Sequence, residues 1–464
     1  MDLEIFTTRG LGDTSYLVAS DGEAALVDPQ RDAWRFLEVA ATRGWRVTHV
    51  LETHVHNDYL SGALEVKAAT GARIVAPARG GYAFPHDPAD EGTTAEVGAL
   101  RLTAMATPGH TPEHIAWAVS GVGADDGIFT GGSLLVGTAG RTDLLGPDRT
   151  AELSALQQST LRRLAALPPG VRVMPTHGAG SFCSVGPAAA TTTTTIGDER
   201  VANPVLLAMD GSAFEEALLG GLGRFPAYYA RMAPLNRAGP RVLGGRPAVD
   251  RMTPAALAGA GASGVAIVDA RQRLDVAAAH VPGAINIELD ESFAAYVGWM
   301  LPFDAPIALV LPEPRAEAEA EAIAQLLRIG YEHVVGVLDG GIEAWVAAGR
   351  PTSSYPVTTM PDVFDEAARG SMPDLLDVRQ PVEWARDGVI PGSRTIFVAD
   401  LLGRLAELPR DHELTVVCKS GGRSSIAASI LDAAGIPVRF VAHDGALGWP
   451  ERFAALPALA ARRS

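Results

Sequence analysis

The chain has 464 residues, 47% of them hydrophobic and 20% charged, with a formal net charge of −16 at pH 7. That acidity excludes a nucleic-acid partner on electrostatic grounds, and no apolar run reaches the ~20 residues that span a bilayer. Two cysteines, Cys183 and Cys418, make no disulfide framework and imply a reducing cytoplasm in which both thiols are free. The opening MDLEIFTTRG has neither a basic nor an apolar leader region, so no signal peptide is expected. Length alone allows about two to four domains.

Along the first ~180 residues, short β-rich runs alternate with turn signals and helical patches. Examples are Glu23–Val27, Val47–Leu51, Ala72–Ala76 and Ile115–Val119. Such runs, broken by Gly, Pro and Asp, predict layered sheets with helices outside. Three histidine-bearing loops each follow a β run: Thr53-His54-Val55-His56-Asn57-Asp58-Tyr59, Thr107-Pro108-Gly109-His110-Thr111 and Pro175-Thr176-His177-Gly178. If the fold brings these strand ends to one edge, His54, His56, Asp58, His110 and His177 surround one point, as metal ligands do. Cys183 lies close after His177, where either a role in lining that cleft or simple packing fits. A threonine- and alanine-rich run around 187–195 reads as a helix entry or surface loop. Residues 204–243 read first as helix and then as turn-rich chain (RFPAYYARMAPLNRAGP).

From about 245 the sequence repeats. Residues 268–287 (VDARQRLDVAAAHVPGAINI) match 376–396 (LDVRQPVEWARDGVIPGSRTI), aligning Asp269 with Asp377, Arg271 with Arg379 and Gln272 with Gln380. Strands alternate with helical stretches such as Ala316–Ile329 and Ser424–Ala434, which predicts a parallel sheet flanked by helices. In the second copy the apolar LTVV runs into Cys418-Lys419-Ser420-Gly421-Gly422-Arg423. In the first copy the matching strand runs into Pro312-Glu313-Pro314-Arg315, which has no sulfur. Cys418 therefore sits in a strand-to-helix turn whose amides and helix N-terminus point toward the sulfur, with Lys419 and Arg423 adding positive charge. That environment suits a thiolate that accepts sulfur as a persulfide.

Cys-x-x-Gly-x-Arg, with Asp377-Val-Arg379, Glu383, Ile390-Pro391-Gly392 and Asp444-Gly445 around it, resembles the rhodanese active-site loop. The resemblance implies a sulfurtransferase in which Cys418, Lys419 and Arg423 act and Ser420, Gly421 and Gly422 shape the persulfide loop. The first copy then serves to dock against the second or to shape its cleft. Thr53-His54-x-His56-x-Asp58, Thr107-Pro108-Gly109-His110-Thr111, Gly140-Arg141-Thr142-Asp143 and His177-Gly178-Ala179-Gly180-Ser181 resemble the metallo-β-lactamase superfamily, and within it the glyoxalase II-like branch containing persulfide dioxygenases. Pro226-Ala227-Tyr228-Tyr229 and Leu235-Asn236 resemble that family's closing helical segment.

As a whole the chain is similar to a persulfide dioxygenase–rhodanese fusion. The fold implied is α/β and multidomain: an αββα sandwich over 1–244, then rhodanese-type parallel-sheet domains over 245–352 and 356–464. The family's cofactor is non-haem Fe(II), held by two His and one Asp, and its substrates are glutathione persulfide and thiosulfate. The resemblance also raises the expectation of a homodimer. Two positions depart from the pattern. Tyr59 replaces a histidine of the second metal position. Gly132, in Phe129-Thr130-Gly131-Gly132-Ser133, stands where the family has its ligand Asp. Loss of that anion predicts weak iron, zinc instead, or no metal. A thioester hydrolase of glyoxalase II type and a metal-free sulfur-relay scaffold are the alternatives.

Overall fold

The computed structural model describes residues 1–121, 126–178, 180–184 and 191–456. They fall into two compact units, Met1–Pro247 with Ala324–Gly330, and Ala248–Ile323 with Tyr331–Ser464. Most of both repeat copies, expected as 245–352 and 356–464, falls in the second unit, while 245–247 and 324–330 of the first copy group with the first unit. Among the described residues, no helix is long and apolar enough to cross a membrane.

The first unit is built on two six-stranded sheets. One orders its strands as Asp2–Thr8, Asp13–Ser20, Glu23–Val27, Arg46–Leu51, Arg73–Pro77 and Asp87–Ala89. The other runs Thr194–Thr195, Arg172–Pro175, Gly127–Gly131, Ile115–Gly121, Leu100–Ala106 and Thr94–Val97. Side chains alternate across a strand, so Tyr16, Val18, Val27 and Leu51 share a buried cluster with Leu102, Trp117, Phe129 and Met174 of the facing sheet. The intervening Leu17, Leu26 and Val50 point the other way, onto Phe36 and Val66 of the helices Trp34–Arg43 and Ala63–Thr70. Behind the second sheet, Ala116, Ile128 and Val173 pack with Leu161 and Phe214 from Pro147–Ala165 and Gly211–Leu219. Each fully buried Leu or Val contributes about 1.5–3 kcal/mol. Burial on both faces is therefore what sandwiches the sheets between helices, in an αββα order.

The second unit contains two five-stranded sheets of identical order. The first runs Arg251–Met252, Val334–Leu338, Ile307–Val310, Ala266–Asp269, Ile285–Asn286; the second runs Val357–Thr358, Val438–Val441, Leu414–Val417, Asp374–Asp377, Arg394–Thr395. Every pairing is parallel. Parallel strands are covered on both faces, which is why IALV is wholly apolar, LTVV is apolar except for Thr415, and both are wholly buried.

Over 226–239 the structure departs from the local turn-rich reading and carries the helix that the family resemblance implies. The turn-rich reading gives way to a helix, Tyr229–Ala238, with Pro234 inside it. Its buried Tyr229, Met232 and Ala233 hold it in place, so packing outweighs the hydrogen bond that Pro234 cannot donate. In the threonine run, 187–190 lie outside the described residues. Thr195 ends a short strand and caps the helix Ile196–Ala202, accepting from the Asp198 amide.

Candidate functional site

The strands Arg46–Leu51, Leu100–Ala106, Gly127–Gly131 and Arg172–Pro175 end beside one another and deliver their loops to one buried point. His54, His110 and His177 meet there, each no more than 1% exposed. The Nε2 atoms of His54 and His177 are 3.1 Å apart. His110 Nε2 is buried without a hydrogen-bond partner, as are His56 Nδ1 and Asp58 Oδ1. Each imidazole of the trio is anchored through Nδ1. His110 Nδ1 donates to the Arg141 carbonyl (2.8 Å), which can only accept. His54 Nδ1 meets Thr53 Oγ1 at 2.8 Å, and that hydroxyl spends its own proton on Asp28. His177 Nδ1 lies 2.8 Å from Asp13 Oδ1 and 3.1 Å from Asp58 Oδ2. With the Nδ1 protons committed, the Nε2 atoms face inward, the arrangement in which outer carboxylates and carbonyls orient metal-binding histidines.

Two overlapping sets could hold a cation: His54, His110 and His177, and His56, Asp58 and His177. A third, Asp28, His54 and His56, shares their members. The family's iron set does not fit. Gly132 offers no carboxylate, and a Cβ built on it would overlap the His110 ring, standing 2.8 Å from Nε2. His110 thus fills the space that an aspartate side chain would enter.

Charge divides within the cluster. Burial, reinforced by the neighbouring imidazoles, drives His54 and His114 well below the ordinary histidine value and His110 down to about 3. Burial also opposes charge on His177, but Asp58 and Asp13 outweigh it and push the group up to about 10. Asp28 and Glu52 likewise hold His56 high against burial. Tyr59 stacks on His56 (ring centroids 4.3 Å apart) and places its hydroxyl 3.1 Å from His56 Nε2. Cys183 is fully buried, with Sγ 3.6 Å from Asp58 Oδ2. Burial first, then Asp58 and Asp13, push this thiol far up.

Three residues of this site, Asp13, Asp28 and His114, carry no sequence signal of their own. Asp13 orients His177. Asp28, in a left-handed conformation (φ 49°), accepts from the Thr53 amide and hydroxyl (2.7 Å each) and from Thr176. His114 Nε2 accepts from the Gly132 amide (2.9 Å), which occupies that nitrogen. Asn236 donates to the carbonyls of His56 (2.9 Å) and Tyr59 (2.8 Å) and accepts from the Ser61 amide (2.9 Å), bracing the first histidine loop from the helix Tyr229–Ala238. Ala179 lies outside the described residues.

The cysteine loop begins where Leu414–Val417 ends. Cys418 is 1% exposed, and the Gly421 amide donates to its Sγ at 3.1 Å. Gly421 is left-handed (φ 101°) and precedes the helix Gly422–Ala433. Gly445 passes so close to the carbonyls of Cys418 and Lys419 that a Cβ there would overlap both. Arg423 forms a two-pronged pair with Glu383, Nη2 to Oε1 at 2.8 Å. Lys419 and Ser420 are exposed. In the first copy Leu311 is buried at the matching strand end, and Arg315 turns away to Glu343 (2.9 Å).

The shared Asp-x-Arg is framework in both copies. Arg379 binds Asp377 (2.6 Å) and the Gly388 carbonyl (2.7 Å). Arg271 binds Asp269 (2.6 Å) and the Ala279 carbonyl (2.8 Å). The copies also join through buried polar contacts. The Asn286 amide donates to Ser429 Oγ (3.0 Å), Ser425 donates to Asn286 Oδ1, and His280 Nε2 lies 3.1 Å from Asp432 Oδ2.

An αββα sandwich with a histidine cluster at its strand ends, joined to a doubled parallel-sheet module with one cysteine loop, defines a two-part α/β protein with an inward-facing histidine set and a sulfur-bearing turn. The chain belongs to the metallo-β-lactamase superfamily through residues 8–177, followed by two rhodanese-like domains matched over 253–348 and 360–450. It is 37% identical over 185 residues to a hydroxyacylglutathione hydrolase of Cereibacter sphaeroides, covering 38% of this chain and 67% of that protein. The crystal structure of a metallo-β-lactamase from Staphylococcus aureus subsp. aureus COL matches with TM-score 0.65 and 27% identity, over 73% of this chain and 98% of that one. ETHE1 from Myxococcus xanthus matches with TM-score 0.45 and 27% identity, over 51% of this chain and 99% of that one. This combination of domains places the protein in sulfur metabolism.

Proposed function

We propose that the protein is a sulfurtransferase whose acceptor is Cys418, with thiosulfate or glutathione persulfide as donor. The observation that carries this is the Gly421 amide aimed at Cys418 Sγ at the head of a helix, because a backbone donor there favours the thiolate. In the thiosulfate reaction the thiolate attacks the outer sulfur. A new S–S bond forms, the original S–S bond breaks, and sulfite leaves with its electron pair. Cyanide then attacks the terminal persulfide sulfur, yielding thiocyanate and restoring the thiolate. Cys418→Ser should reduce thiosulfate:cyanide sulfurtransfer to background; turnover equal to the parent protein would remove Cys418 from the role.

For the N-terminal domain, the residues that would hold a divalent cation are His54, His110 and His177, with Asp13 and Asp58 orienting His177. Such a cation supplies Lewis acidity to a bound glutathione conjugate. Oxidation of glutathione persulfide is the activity implied by the family resemblance, and it would draw on the persulfide chemistry of the second unit. Thioester hydrolysis is the second reading. It is favoured by the hydroxyacylglutathione hydrolases among the relatives. Oxygen uptake on glutathione persulfide supports the first reading. Hydrolysis of S-lactoylglutathione by zinc-loaded protein without oxygen uptake supports the second.

A further inference from the structure

We infer that the copy without a cysteine supplies a positioning residue to the sulfur site: Arg273 fixes the peptide whose N–H touches Cys418. The inference rests on Cys418 as the sulfur acceptor. Arg273 Nη1 donates to the Ser420 carbonyl at 2.7 Å and to the Ala442 carbonyl at 3.1 Å. The Ser420 carbonyl and the Gly421 amide are the two ends of one peptide unit. That unit is planar, so its C=O and N–H point in opposite directions. Holding the oxygen on Arg273 therefore aims the hydrogen at Sγ, 3.1 Å from the amide nitrogen.

The guanidinium also acts through charge. A cation on the carbonyl polarises the amide and strengthens its N–H as a donor to a negative sulfur. Arg273 is itself held in place. Glu288 pairs with its guanidinium and accepts from its amide at 2.8 Å, and Glu288 is buried. The fit to the loop is close, since a Cβ at Gly421 would overlap Arg273 Nη1 and the Ala442 carbonyl. The position is one where the copies differ. Gln272 aligns with Gln380, and the next residue, first in its helix, is Arg273 in the silent copy and Pro381 in the live one. A proline has no side chain to reach across. Tyr296, from the same silent copy, lies within electrostatic reach of both Arg423 and Cys418.

The test uses the full-length chain as parent, Arg273→Ala, Arg273→Lys and Arg273→Gln. Thiolate ultraviolet absorbance and the iodoacetamide alkylation rate of Cys418, located by mass spectrometry, are followed against pH. Arg273→Ala should raise the Cys418 midpoint by roughly half a unit to one unit. Alkylation below the midpoint should then slow about 3- to 10-fold, with little change in the high-pH limit. Arg273→Lys keeps the charge and should recover part of the shift. Should the alanine variant fail to fold, Lys against Gln decides, because both keep a long stem and only Lys keeps the charge. Midpoints equal to the parent in folded Arg273→Ala, or equal to each other in Lys and Gln, overturn the inference. Because the readout is ionisation of Cys418 rather than turnover, it stands apart from the sulfurtransfer test on Cys418→Ser.

Discussion

At Gly132 a single missing side chain changes what the neighbouring histidine does. His110 occupies the space beside it, fixed by the Arg141 carbonyl at Nδ1 and by Gln157 Oε1 at its amide (3.1 Å). Restoring the family aspartate with Gly132→Asp forces that ring to move. Overpacking of this kind costs about 1–3 kcal/mol. The variant should melt lower and hold less metal than the parent, measured by elemental mass spectrometry on protein purified without chelators. A stoichiometric gain of iron would instead mean that His110 yields easily and the family site can be rebuilt. His54, His56, Asp58, His110 and His177 were legible because a short motif or a strand-end loop marks each. Asp13, Asp28 and His114 were not. Asp13 meets His177 only when the two sheets close on one another, while Asp28 and His114 find Thr53 and Gly132 across neighbouring strands that lie apart in sequence.

At the scale of elements, the helix Pro381–Asp387 and the cysteine loop are coupled through Glu383. Its Oε2 accepts from the Gln380 amide at 2.9 Å, closing a capping box, while both oxygens engage Arg423. Burial raises the Glu383 carboxyl, yet Arg423 prevails and holds it below its ordinary value. A lowered folded value means that the coupling is fully present above the ordinary glutamate value of about 4.3 and is lost as pH falls through the folded value. The contribution of this coupling to sulfurtransfer should therefore hold through the ordinary glutamate range and be lost only as pH falls below it. Glu383→Gln should flatten that acid limb in a pH–activity profile; an unchanged limb would assign it to another group. Strand and helix alternation in the repeat was readable because its strands are apolar on both faces. The helix Tyr229–Ala238 was readable only through its resemblance to the family's closing helical segment, because Pro234 reads locally as a breaker. What holds the helix is burial of Tyr229 and Met232 and the Asn236 side chain's grip on the histidine loop.

The whole molecule has two cores, and each has its own chemistry. The described cation-binding groups all lie in the first unit and the cysteine loop in the second. A ligand that binds only the folded form stabilises by about 2.7 kcal/mol at a hundredfold excess over its Kd. Added Zn²⁺ should thus raise one calorimetric transition by several degrees and leave the other in place. Chelator should leave thiosulfate:cyanide transfer unchanged. A shift of both transitions would show one cooperative body. The domain order was legible from motifs, whereas the pairing of the repeat copies in one unit rests on contacts such as Asn286 with Ser425 and Ser429, which no local pattern announces. Those contacts bear on how such a gene can change over time. A duplicate that has lost its nucleophile is ordinarily free to drift or be deleted. Here its buried polar groups complete the hydrogen bonding of the surviving helix, so its loss would remove the Asn286 acceptor of Ser425 and leave Ser429 only its bond to the Ile426 carbonyl. The two copies are bound to be inherited together.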